Sequence, residues 1–162
     1  MRIAAIAACA ALLVGCSPGI AGFIGVVKSG EDYRVLVAMC DGDSVDYVEI
    51  RDRGAVNAQN EYAVIESVRV LRVGKVLASD LITADRVADR FTPNGRYMMS
   101  GRAPGWFPSV ISGPVFNRER LLALADGEIL TKEPGTWDVV VVAGLDEFTE
   151  LIEAEWCELE PE

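Results

Sequence analysis

The sequence predicts a mainly β fold: an antiparallel sandwich carrying one or two short helices. Three observations lead there. Short segments rich in Val, Ile and Tyr alternate with turn signals along the chain. Fifteen Gly and seven Pro are spread over 162 residues rather than pooled in a linker. A 51% hydrophobic fraction at this length lets one domain bury a core.

The chain begins with Met1-Arg2, a short positive start. Residues 3–14 then run without a charge, too short to cross a bilayer as a helix and right for a secretory leader. The stretch ends in Leu13-Val14-Gly15-Cys16, which resembles the lipobox of bacterial lipoproteins. The resemblance implies cleavage before Cys16 and acylation of its thiol and new amine. Residues 1–15 are then a removed signal peptide, 16–19 a lipidated cysteine with a short tether, and 20–162 a single β-rich domain. Two or three acyl chains, at about 0.8 kcal/mol per buried methylene, make a firm anchor. An ordinary leader cut after Ala8-Cys9-Ala10 leaves Cys16 a plain thiol instead.

With the leader gone, Cys40 and Cys157 remain. In an exported chain such a pair tends to oxidise. Two separate buried thiols are the alternative. A disulfide here closes a loop of more than a hundred residues, worth about 5 kcal/mol in the chain-entropy description.

Residues 20–27 read as a strand containing two glycines, turned by Ser29-Gly30-Glu31-Asp32. Residues 33–40 put Val35, Val37 and Met39 on one face and Arg34, Leu36 and Ala38 on the other, a strand buried on both sides for much of its length. Asp41-Gly42-Asp43-Ser44 signals a hairpin. Residues 45–51 return with Val48 and Ile50 inward and Tyr47, Glu49 and Arg51 outward. Residues 62–73 form the next strand, turned by Gly74-Lys75 toward Val76-Leu77. Ser79 and Asp80 offer N-caps to a helix through Phe91, with Leu81, Ala84, Val87, Ala88 and Phe91 at helical spacing.

Arg96-Tyr97-Met98-Met99-Ser100 follows a Pro93-Asn94-Gly95 turn. Residues 101–116 carry three Gly and three Pro around Trp106 and Phe107, which points to an ordered loop or irregular edge. Asn117 caps a helical turn through Leu122. Glu133-Pro134-Gly135-Thr136 leads into residues 137–142, the clearest strand. That Pro-Gly-Thr-aromatic lead-in resembles the last hairpins of immunoglobulin-like bacterial domains, which implies an immunoglobulin-like version of the sandwich. Residues 145–159 fit a helical stripe (Phe148, Leu151, Ile152, Trp156, Leu159) and also a strand; a Cys40–Cys157 bond favours the strand.

Composition narrows the chemistry. The chain carries 15 Lys plus Arg against 25 Asp plus Glu, net −10, which becomes −11 once Arg2 leaves with the leader. It therefore has no general attraction for phosphate backbones, and no nucleic-acid partner is expected. With no histidine, the usual serine, cysteine and metal constellations built on imidazole are excluded. Residues 41–52 have acids near calcium-loop spacing but lack the sixth-place Gly and the twelfth-place Glu, so a turn explains them. No metal or cofactor is expected. Lys28, Lys75 and Lys132 read as turn residues with no serine-lysine motif. Eight acids and no base lie between Asp146 and Glu162, whereas six Arg lie between Arg86 and Arg120.

The segment from Gly101 to Pro114 stands out as a recognition loop, with Arg102, Trp106 and Phe107 as its contact residues. Closure of the core by the two aromatics is the competing role. Leader, composition and β pattern together resemble the small exported lipoproteins of high-GC bacteria. The expected function is a lipid-anchored, non-catalytic interaction or accessory module on the outer side of the cytoplasmic membrane or in the outer membrane, with an envelope protein or glycan as partner. A small glycan- or solute-binding lipoprotein and a carboxylate-dependent hydrolase are the alternatives; the latter needs two acids facing across a cleft.

Overall fold

A computed structural model describes residues 20–40, 45–56, 58–73, 76–79, 82–104, 109–133, 136 and 139–155. Among these, ten strands and three short helices are found. The strands are β1 (Ile20–Ser29), β2 (Asp32–Met39), β3 (Tyr47–Val56), β4 (Tyr62–Val68), β5 (Val70–Val73), β6 (Val76–Ser79), β7 (Tyr97–Ala103), β8 (Ser109–Phe116), β9 (Ile129–Lys132) and β10 (Val139–Val142). The helices are α1 (Ala84–Arg90), α2 (Arg118–Leu122) and α3 (Leu145–Glu155).

All strands belong to one sheet in the order β4-β3-β7-β8-β1-β2-β6-β5, with β9 also on β1 and β10 on β9. The pairings are antiparallel except β1 with β8, which run parallel. The mainly β, sandwich-like class predicted from sequence is the one observed, with a curled mixed sheet and three helices. The curl follows from connectivity. β4 and β5 stand at opposite ends of the path, yet only Arg69 separates them in sequence. One linking residue cannot reach across eight flat strands spaced about 4.8 Å apart, so the two ends must come together.

β1 is the fork of this sheet. Along one edge it pairs with β2 from Gly22 to Ser29. Its other edge is shared: Ile20, Gly22 and Phe23 pair with β8, whereas Gly25, Val26 and Val27 pair with β9. At the fork the Ile24 carbonyl accepts a buried hydrogen bond from the Thr131 hydroxyl at 3.0 Å. A buried carbonyl needs such a partner.

Both faces of β1 and β2 are covered, as the residue pattern of β2 predicts. Ile24, Val26, Val35 and Val37 turn into the larger core with Val48, Ile50, Tyr97, Met99 and Ile111, closed by Val87 and Phe91 at α1 and Leu121 of α2. Phe23, Leu36 and Ala38 face the other way, into a second core with Ile129, Val142 and the α3 residues Phe148 and Ile152.

Several local expectations shift. α3 occupies the segment for which the strand was favoured. As a strand, Glu150 would share a face with Phe148 and Ile152; as a helix, Phe148 and Ile152 bury while Glu150 and Glu153 stay exposed. α1 starts later than expected: Thr83 is its N-cap, accepting from the Arg86 amide, and Ser79 lies in β6, where its buried hydroxyl accepts from the Val35 amide at 2.8 Å. Residues 62–73 are two strands rather than one. Gly101, Gly113 and Pro114 lie in strands rather than in an irregular loop: β7 runs through Ala103 and β8 begins at Ser109. A register shift opposite Met99 takes up Gly113 and Pro114. β9 was not foreseen, and Lys132 ends it rather than lying in a turn. The cap at Asn117 is as expected, with its side chain accepting from the Arg120 amide at 2.9 Å. The hairpin expected at 41–44 does not form between its flanking strands: β2 pairs with β1 and β6, and β3 with β4 and β7. Residues 41–44, Gly74-Lys75, Trp137 and Cys157 themselves lie outside the described residues.

Gly25 sits at a close approach of β9 and α3 to the fork. A Cβ there would stand 2.6 Å from Ile129 Cγ2 and 3.0 Å from the Phe148 ring. Gly25→Ala is therefore expected to lower stability by about 1–3 kcal/mol through overpacking. Urea unfolding measures it; a midpoint equal to wild type would show that β9 and α3 do not close on β1 as described.

Candidate functional site

Two surfaces come out of this fold, one containing a residue singled out from sequence and one not. The first follows from strand register. Tyr47 of β3 pairs with Arg102 of β7, Arg102 with Val110 of β8, and Val110 with Ile20 of β1. These strands are consecutive in the sheet, so the four side chains form one cross-strand row. All are exposed, Tyr47 and Val110 at 40% and Ile20 at 44%, although their sequence neighbours Val48 and Ile111 are fully buried. Arg102 is thus a strand residue, not a loop residue. Two residues along, the same face turns polar at Glu49 and Ser100. Trp106 and Phe107 lie outside the described residues. Cys16 also lies outside them; β1 begins at Ile20, four residues later.

The second surface is a groove of about 500 Å³ on the α3 side of the sheet. Its floor lies beside the second core and includes Val27, Leu36, Ala78 and Ile129; Lys28, the start of α3 and the Asp126-Gly127 turn form walls. Arg34 of β2 lines it, paired across the ladder with Val27. The Arg34 Nε is buried and has no hydrogen-bond partner among the described residues. The acids nearby are committed elsewhere: Asp126 Oδ1 accepts from the Gly30 amide at 2.6 Å and Glu147 Oε2 from the Ala143 amide at 2.7 Å. Sequence reasoning placed Arg34 on the Leu36 face but had no means of seeing a groove.

Comparison with known proteins adds no assignment: no family model, curated protein or solved structure matches this chain. Its chemistry has to be read from its own side chains.

The fold also joins a serine and a lysine twenty residues apart. Lys132 Nζ donates to Ser112 Oγ at 3.4 Å, linking β9 to β8, the two strands that share one edge of β1. Lys132 is buried, and desolvation lowers its pKa below the ordinary lysine value. A lysine of lowered basicity beside a hydroxyl is the pairing a serine nucleophile uses. However, neither residue lines the groove, so the contact reads as a tie across the fork. Other carboxylates serve structure: Glu49 pairs with Arg51 at 2.6 Å, Glu66 with Arg86, and Glu128 Oε2 accepts from the Ala125 amide at 2.7 Å. Among the described residues no three Cys, Asp or Glu gather as metal ligands. Cys40 follows β2, its amide bonded to the Ala21 carbonyl at 2.9 Å and its side chain engaged.

The lowered Lys132 pKa makes stability depend on pH with a definite sign. Below its folded-state pKa the lysine is charged both folded and unfolded, and its burial cost is felt in full. Between that pKa and the unfolded value near 10.5 the unfolded chain binds the extra proton, so stability rises with pH. Lys132→Met lacks this contribution. The melting temperature of the variant relative to wild type is expected to be highest at neutral pH and to decline toward pH 10.5; a pH-independent difference would contradict the assignment.

Proposed function

We propose that this chain is a lipid-anchored protein facing outside the cytoplasm, serving as a non-catalytic interaction or accessory module of the cell envelope. The observation that carries the reading is the exposed row Tyr47–Arg102–Val110–Ile20. It combines two aliphatic side chains, an aromatic and one guanidinium, a composition suited to a protein or glycan contact. It lies on the edge that the chain enters from Cys16, at most about 14 Å of extended backbone from Ile20. In this reading the acyl chains hold the protein at the membrane, and the row meets a neighbour in the envelope. Small-solute binding is a second reading, favoured by the groove around Arg34.

If Cys16 is the acylated residue, Cys16→Ser in a bacterial host with lipoprotein processing should accumulate as unprocessed precursor and lose all acyl labelling. Normal maturation and labelling of that variant would reject the anchor.

We also propose that Cys40 is joined to Cys157. The engagement of Cys40 at the end of a strand buried on both faces supports it. Peptide mapping of the exported protein without reductant should recover the two cysteine peptides linked, and reduction should lower the melting temperature. Recovery of both thiols free and alkylatable decides against the bond.

A further inference from the structure

We propose that the groove beside α3 is a binding site for a single-chain amphipathic carboxylate, held by the Arg34 guanidinium and the apolar floor beneath it. This deepens the solute-binding reading and does not depend on the acyl anchor. A volume of about 500 Å³ lies within the range of small-molecule pockets, roughly 300–1,000 Å³. Val27, Leu36, Ala78 and Ile129 line it beside the second core, Val27 half-buried and the other three buried, so its floor is apolar. An aliphatic chain lying on it would take its own surface out of water, at about 25 cal/mol per Å² buried.

Arg34 sets the polar end. Its Nε is buried without a partner, an arrangement that a bound acceptor would relieve. Guanidinium presents Nε–H and Nη–H as a parallel fork that a carboxylate fills with two charge-assisted hydrogen bonds. Lys28 also lines the groove, but its ammonium donates to the Tyr33 hydroxyl at 3.3 Å, and Asp126 Oδ1 is taken by the Gly30 amide. Arg34 Nε is the donor left to meet an anion. The planar fork and the apolar lining together match a carboxylate with an aliphatic tail, which decanoate represents.

The test uses residues 17–162, which retain every described strand and helix, titrated with decanoate and followed by amide chemical shifts. Saturable shifts are expected at Val27, Leu36, Ala78 and Gly144. Arg34→Gln should weaken binding about tenfold or more, the scale of a hydrogen bond to a charged group. Methyl decanoate, with the same tail and no charge, should bind the wild type about tenfold more weakly than decanoate. Ala78→Leu, which fills the floor, should remove binding while its amide spectrum reports whether the fold is kept. Arg120→Gln, exposed on α2 and outside both surfaces, should bind as wild type. Absence of saturable shifts, shifts centred elsewhere, or equal affinity for the acid and its methyl ester overturns the proposal, whatever the outcome for acylation of Cys16.

Discussion

β1 has to be bonded along both edges and packed on both faces, and the rest of the molecule is arranged around that demand. Its residues Ile20-Ala21-Gly22-Phe23-Ile24-Gly25-Val26-Val27 meet it in two ways. Apolar side chains alternate between the two cores, Ile24 and Val26 one way and Phe23 the other. Glycines stand where neighbours come too close for a side chain: Gly22 against the Ala38 carbonyl, and Gly25 against Ile129 and Phe148. Because β8 and β9 share one edge of the strand, the carbonyl at the division takes its hydrogen bond from a hydroxyl, that of Thr131. The Lys132–Ser112 contact ties the same two strands a little further out. The cost of a buried lysine is thus met where the sheet divides.

The two cores have different consequences. The larger one is closed by α1, α2 and a cluster of Phe91, Tyr97 and Phe116, with ring centroids 4.6–5.9 Å apart. Edge-to-face contacts of this kind add to simple burial. The smaller core has one short helix as its lid. α3 covers the sheet through Phe148 and Ile152, and the groove lies beside its first residue, Leu145. Arg34 enters it because β2 alternates strictly and places position 34 on the same face as Leu36 and Ala38.

The exposed row arises by a different route. Tyr47, Arg102, Val110 and Ile20 come from four separated parts of the chain and meet only because the register of β3, β7, β8 and β1 aligns them. Each is unremarkable alone, since single exposed apolar residues are common. Their adjacency makes a surface. The parallel pairing of β1 with β8 places the start of β1 beside the start of β8, which brings Ile20 next to Val110.

The sequence by itself determined what short-range physics controls: the mainly β class, the two-sided burial of β2, the inward Val48 and Ile50, and the helical turn capped by Asn117. These depend on alternation and on side-chain-to-backbone bonds within a few residues. Tertiary structure decided the rest. Residues 62–73 read as one strand because nothing local marks Arg69 as the point where the sheet turns back on itself. Ile129–Lys132 is too short to show a period and becomes a strand only between β1 and β10. Residues 145–155 suit two periods, and the outer face of β1 and β2 selected the helix because Phe148 and Ile152 fill it without burying Glu150. Gly101, Gly113 and Pro114 suggested a loop, yet they serve close packing and a bulge. The groove could not be read from any segment, because its floor, its guanidinium and its walls come from strands and turns that only long-range pairing brings together.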